Sequence, residues 1–318
     1  MFEGKTMGTT YHIILTAAEI TNGSLEDLKK DVQALLDHLD KDLMSTYSKK
    51  SEISRFNRIR NTEPFPVSVE TAEVVRLALA ISHDTNGAFD PTVGSLVRLW
   101  GFGSEKKPSK VPTDAQIKAK KNIVGYKRLH VQNSPLALVK DRSNMKIDLA
   151  AIAKGYCADA VASLLKDKGY EDYFVEIGGE VAAYGKNHRN EYWNVGIERP
   201  EAGRMPGEKL HKVVVVKNGA VATSGNYRNF FIQNGKRYSH IIDPHTGSPV
   251  THMLASAAVI APTCREADAV ATALMVLGTQ KGIEWIEGHS KWDAMLLEGN
   301  PDGTFREVYS SGFKNRTR

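Results

Sequence analysis

The stretch FFIQNGKRYSHIIDPHTGSP, Phe230 to Pro249, decides how the chain reads. Phe230 to Gln233 is an apolar run, and Asn234-Gly235 separates it from a second strand-like run. Asn-Gly in that setting is the strongest short-range hairpin signal, because a tight two-residue turn needs positive φ at both positions. The spacing predicts Arg237 to Ile242 as the second strand. Asp243-Pro244 ends it, since proline cannot donate to a ladder. His240 and Asp243 then lie where a strand gives way to a loop and polar groups can face a site. On this stretch alone, an ordinary hairpin with a satisfied surface histidine is the plainer reading.

The same pattern recurs along the chain. Tyr173–Ile177 and Val181–Tyr184 flank Gly178-Gly179, and Asn218-Gly219 joins His211–Val216 to Ala220–Thr223. Ala294–Glu298 and Phe305–Tyr309 flank a Gly/Asn/Pro turn. Thr6–Leu15 reads as a first strand, Leu129–Val139 as strand runs around a turn, Lys146–Leu149 as a short strand, and Trp193–Glu198 and Leu254–Ile260 as further members of the sheet. Helices come in separate blocks. Leu25 to Leu43 carries apolar residues at helical spacing behind a Ser24 cap, predicting one long amphipathic helix. Ser68–His83, a short helix behind Thr113-Asp114-Ala115-Gln116, Ala150–Lys168 and a helix from Thr263 to Leu277 follow. Ser45–Asn57 reads as polar turns, Gly87–Gly103 as a glycine-punctuated segment and 106–112 as a charged loop. Antiparallel hairpins with segregated helices argue an α+β fold with antiparallel sheets, not a doubly wound parallel sheet. The expected organisation is one large domain, residues 4–310, with a frayed basic tail at 311–318.

The 318 residues are 41% hydrophobic and 25% charged, enough for a sizeable core and too apolar for disorder. The formal charge of +5 is scattered, and no nucleic-acid motif is present, which argues against an RNA or DNA partner. A mildly basic chain still favours a phosphate-bearing ligand. The two cysteines, Cys157 and Cys264, cannot build a disulfide framework and read as buried thiols. No apolar run reaches membrane-spanning length.

Known site motifs are mostly missing. There is no GxGxxG before a helix, no P-loop lysine, no HExxH and no GxSxG elbow, so Ser224 does not read as a hydrolase nucleophile. Asp268 and Thr272 lie four apart on a predicted helix and share a face. A carboxylate and a hydroxyl form a hard oxygen pair suited to Mg²⁺. Alternatively, Asp268 merely improves the charge balance of the helix start. Asp148 precedes a helix predicted to begin at Ala150, whose first amides would suit an anion, with Lys154 one turn in. A capping aspartate and a surface lysine are the plainer reading.

A set of short motifs in chain order resembles the ApbE family of flavin transferases: Met7–Tyr11, Leu43–Tyr47 with SEISRFN (Ser51–Asn57), GAFDPTVG (Gly87–Gly94), LWGFG (Leu99–Gly103), IDLAAIAKGY (Ile147–Tyr156), Ile177-Gly178-Gly179, TSGNY (Thr223–Tyr227), SHIIDPHTG (Ser239–Gly247) and Glu266–Met275. The resemblance implies an enzyme that binds FAD and Mg²⁺, cleaves the pyrophosphate and moves FMN onto a threonine hydroxyl of a target protein, releasing AMP. It places the metal on Asp268, Thr272 and the main-chain carbonyl of Ala151. It places FAD against Met7, Tyr47, Ala88, Phe89, Asp90, Asp148, Lys154 and Ile241, and makes His240 the catalytic base. It implies acceptor subunits of membrane redox complexes and a periplasmic, lipid-anchored full-length form. The absence of a lipoprotein signal from a chain that opens on its first strand bears on that last point. Two rival functions share the site: an FAD pyrophosphatase with water as acceptor, and an FAD-binding protein without turnover.

Overall fold

A computed structural model describes residues 1–16, 24–103, 111–201 and 208–316. Its frame is an eight-stranded sheet: β1 (Phe2–Thr6), β2 (Thr9–Leu15), β3 (Tyr173–Ile177), β4 (Glu180–Tyr184), β5 (Gly219–Gly225), β6 (Leu254–Ala261), β7 (Asp293–Gly299) and β8 (Phe305–Tyr309). The spatial order follows the chain order, and every pairing is antiparallel. The α+β expectation holds. Helices and small sheets enter as insertions between consecutive strands.

Alternation explains the layers. On β4 to β7, Ala182, Ala220, Ala222, Ala257, Val259, Ala294 and Leu296 face the main core. Their neighbours Val181, Ala183, Val221, Ala258, Ile260, Met295 and Leu297 face a second core on the opposite side. A strand buried on both faces needs apolar residues at both parities. The main core is closed by α6 (Ala153–Asp167) and α7 (Cys264–Leu277), which pack against each other and the sheet. Small residues on the strand side let the helices approach closely. The second core is closed by a two-stranded ribbon, Trp193–Glu198 with Leu210–Val216, whose Trp193, Val195, Ile197, Val214 and Val216 point inward. The sequence placed these strands within the sheet. They cover it instead, because their alternate apolar residues are worth more against an apolar sheet face than beside an edge.

Several boundaries move. Thr6–Leu15 is not one strand: Met7-Gly8, both at positive φ, turn the chain between β1 and β2. The first helix, α1 (Leu25–Asp37), starts with a Ser24–Asp27 capping box and passes into a π-helix, His38–Met44. The widened turn buries Leu43 and Met44 together. Ser45–Asn57 contains a helix, α2 (Glu52–Arg58), capped by Ser51. After α3 (Val69–Asp84), the glycine-punctuated segment holds α4 (Gly94–Leu99), and α5 (Asp114–Lys121) carries the predicted capping box. Of the charged loop at 106–112, residues 106–110 lie outside the described residues. Lys146–Leu149 keeps only a bridge from Lys146 to Val93; the Asn57 side chain supplies the missing strand partner, bonding Ile147 N–H at 2.7 Å and its carbonyl at 2.8 Å. A further helix, α8 (Thr279–Glu287), had no clear signal. Phe2 and Phe313 are buried, so packed residues extend past both expected domain limits, and the tail is anchored at least to Arg316, which pairs with Asp293. Residues 317 and 318 lie outside the described residues.

The opening stretch folds nearly as predicted. Phe230–Gln233 pairs with Lys236–Ser239 around Asn234-Gly235, both at positive φ. The second strand stops at Ser239, short of the expected Ile242. His240 N–H still bonds Asn229 O, but Ile241 O takes Val250 N–H, and Ile242–Asp243 pairs with Ser248–Pro249. Two adjacent isoleucines feed two clusters: Ile241 the main core, Ile242 a satellite with Leu96, Trp100 and Val124.

Candidate active site

Where the hairpin, α6, α7 and the ends of β2, β4 and β5 converge, they enclose a cavity of about 720 Å³. That is within the range of cofactor-sized pockets. Its walls include eleven of the residues singled out from sequence: His240, Tyr47, Ala88, Phe89, Asp90, Asp148, Lys154, Ile241, Ala151, Asp268 and Thr272. Met7 is not among them. It occupies the β1–β2 corner, where its main-chain amide eases the burial that raises the Asp40 carboxyl.

At the floor, Asp268 and Thr272 project from successive turns of α7. Asp268 is 2% exposed, and its Oδ2 accepts the Gly155 N–H of α6 at 2.9 Å. Only glycine permits this: a Cβ at position 155 would lie 2.3 Å from the Cys264 carbonyl. Asp268 Oδ1 lies 3.9 Å from Lys154 Nζ, outside hydrogen-bond range. Lys154 pairs directly with Glu180, the first residue of β4. Burial works against the Lys154 cation, yet Asp268 and Glu180 outweigh it and hold its amine above the usual lysine range. Burial also raises the Asp268 carboxyl, against the pull of Lys154, and pushes Glu180 up to about 8. Thr272 Oγ1 lies 3.0 Å from Ser224 Oγ.

These residues fit a hard divalent cation. Two buried acidic side chains share one ammonium, so the floor has one more acid than it has cations to pair. Asp268 keeps one oxygen clear of hydrogen bonds, and Glu180 Oε2 is buried without a partner among the described residues. Asp268, Thr272 and the Ala151 carbonyl are oxygen donors of the type Mg²⁺ takes.

At the mouth, the half-buried His240 has its Nδ1 3.1 Å from Asn229 O. A carbonyl only accepts, so Nδ1 carries the hydrogen and Nε2 keeps its lone pair. Burial lowers the pKa, the Asn229 contact opposes this and the Lys154 cation adds to it; the ring is neutral at pH 7. Asp243 contacts the ring of His245, at 3.3 Å. Phe102 meets the His240 ring edge-on at 6.3 Å.

The remaining expectations are mixed. Asp90 lines the cavity, but its oxygens are taken by the Thr92 N–H and hydroxyl and by the Tyr126 N–H, which makes it a loop anchor. The helix expected at Ala150 begins at Ala153, because Ile152, at φ −147° and ψ −20°, lies outside the helical region. Asp148 itself accepts the Ala150 N–H at 2.9 Å, so that amide is not offered to an anion. Ala88, Phe89 and Ile241 form an apolar wall, while Tyr47 stands 70% exposed at the rim. Glu180 and Asn229 had not been singled out, and Ser224 only as a residue that does not read as a nucleophile; Glu180 follows directly on Gly178-Gly179 and was readable only as a carboxylate on an otherwise apolar strand. The cysteines are free and buried, as read.

Residues 7–296 match the ApbE family. The FAD:protein FMN transferase of Vibrio cholerae is 41% identical over 314 residues, spanning 98% of this chain and 90% of that one. The solved flavin transferase ApbE from Vibrio cholerae has a TM-score of 0.89 at 40% identity, with 99% and 98% of the two chains covered. The Pseudomonas stutzeri flavinyl transferase ApbE gives 0.88 at 34% identity, covering 99% and 96%. With sequence and fold agreeing over nearly the full length, the chain belongs to the ApbE family.

Proposed function

We propose that this chain transfers FMN from FAD to a threonine hydroxyl of an acceptor protein in a Mg²⁺-dependent reaction that releases AMP. One observation carries the reading: a histidine with its Nε2 lone pair available and an open acidic oxygen site line the same flavin-sized cavity. The names of the relatives support transfer of FMN from FAD to protein; the metal and the threonine rest on the donor set and the family resemblance.

Asp268, Thr272 and the Ala151 carbonyl would hold the metal, which when bound neutralises charge on the bridging and leaving oxygens of the pyrophosphate. Lys154 gives the phosphates a fixed positive charge, and Ala88, Phe89 and Ile241 give the flavin an apolar wall. His240 Nε2 takes the proton as the threonine oxygen bonds to the FMN phosphorus. The bond from that phosphorus to the bridging oxygen breaks, and AMP departs with the oxygen. General-base help of this kind is worth ~10²–10⁴-fold. The acceptors fit threonine-bearing subunits of membrane redox complexes, acting with a periplasmic, lipid-anchored form of this protein. Fractionation of the source cells checks the compartment, and recovery in the cytosol would reject it.

The test of chemistry is intact-mass analysis of an acceptor domain incubated with FAD, Mg²⁺ and this protein. The acceptor should gain one FMN phosphoester, lost when its threonine is replaced by alanine. Free FMN and AMP beside an unmodified acceptor would make the protein an FAD pyrophosphatase.

A further inference from the structure

We infer that Glu180 is a positioning residue: it holds the Lys154 amine off Asp268 and so keeps the Asp268 carboxylate open to a divalent cation. The inference rests on the metal reading of Asp268 above.

Three facts combine. Lys154 Nζ is shared unequally, in direct contact with Glu180 but 3.9 Å from Asp268 Oδ1. Lys154 and Gly155 are consecutive on α6, and Gly155 N–H is already fixed on the other Asp268 oxygen, so the main chain that carries the lysine is tethered beside that carboxylate. Glu180 is 3% exposed, with Oε2 unpartnered among the described residues. A buried carboxylate with half its acceptor capacity unused is costly, and nothing in the packing of β4 needs a charge there. Without Glu180, the nearest counter-charge for the lysine is Asp268. An ammonium bound there would compete directly with a metal.

The test uses ligand-free protein and Mn²⁺ as the probe, followed by water-proton relaxation, so no turnover is involved. Glu180→Gln should weaken Mn²⁺ binding about tenfold, in the range for groups that orient metal ligands. Adding Lys154→Met to that variant should bring the affinity back to within about threefold of wild type. Glu180→Asp keeps the charge but shortens the reach, and should also weaken binding; unchanged affinity there would overturn the positioning role in favour of charge alone. Wild-type affinity in Glu180→Gln, or no recovery with Lys154→Met, would overturn it too. If Glu180→Gln fails to fold, Lys154→Met alone decides: binding at least as tight as wild type supports the inference, and weaker binding contradicts it. Equal Mn²⁺ binding by Asp268→Asn and wild type would instead sink the metal reading, and the inference with it.

Discussion

Lys140 and Lys154 both point their amines inward, and they are held in opposite ways. Lys140 is fully buried, and its amine donates to the carbonyls of Phe56, Ile59 and Met145 at 3.1, 3.0 and 3.3 Å, 4.5 Å from the centre of the Phe56 ring. Phe56 and Ile59 belong to the end of α2, where main-chain carbonyls lack helical partners and a cation is favoured. Burial, then Arg60 and Lys146, lower its pKa to about 8. Lys154 meets carboxylates instead, and is held above the usual range. One lysine completes a helix end with neutral dipoles. The other belongs to a cluster with one more acid than cations. In this protein the buried cation at the site is the one whose partners are acidic side chains that open onto a cavity.

The largest expected effect is at the unbalanced cluster. Asp268→Asn keeps an oxygen for Gly155 N–H but removes the charge assigned to the metal. Transfer should fall ~10³-fold or more, the equivalent of several kcal/mol at ~1.4 kcal/mol per decade. Thermal stability should hold or rise, because a carboxyl already pushed up by burial is replaced by a neutral group. Near-normal Mg²⁺-dependent turnover would remove the distinction between the two lysines.

Next is His240→Ala. A base acts in the transition state, so kcat should drop roughly 10²-fold with little change in FAD affinity. Its pKa lies below the ordinary 6.5, so the wild-type rate should rise with pH through an inflection below that value and be level at neutral pH; the variant should lack the inflection. Loss of FAD affinity and stability in step with activity would make His240 structural, like Lys140.

The smallest effect on activity should come from Lys140→Met. The unfolded chain binds its proton up to about 10.5 and the folded one only to about 8, so the unfolded state holds more protons in that window and wild-type stability rises with pH across it. The contribution has a slope of up to ~1.4 kcal/mol per pH unit. Denaturant midpoints at pH 7.5 and 9.5 should therefore diverge less in the variant than in wild type, while transfer is unchanged. A loss of transfer at constant stability would mean the helix-end lysine has a role in the site.

Much of this was legible in the chain, for physical reasons that differ by region. The Asn234-Gly235 hairpin, the Asp268/Thr272 face and the capped helices α1, α5 and α7 are local signals, set by residues a turn apart. Splitting Thr6–Leu15 at Met7-Gly8 needed a non-glycine at positive φ, which sequence does not announce. Placing the 193–216 ribbon over the sheet instead of within it depended on which face the sheet left uncovered. The π-helix at His38–Met44 buries two consecutive residues, which a 3.6-residue period hides. Most of the site residues named from the family resemblance line the cavity, while Glu180 was missed because its meaning lies in a partner on α6, far away in sequence. The pairing of Lys140 with helix-end carbonyls was invisible for the same reason.

The central claim is that the cavity couples pyrophosphate cleavage to attachment on protein. Its most direct measurement counts, in one reaction, the AMP released and the FMN attached to an acceptor domain, with Mg²⁺ and with chelator. The account predicts one attached FMN per AMP with the metal, and neither product with chelator. AMP released in large excess over attached FMN, or equal yields in chelator, would contradict it.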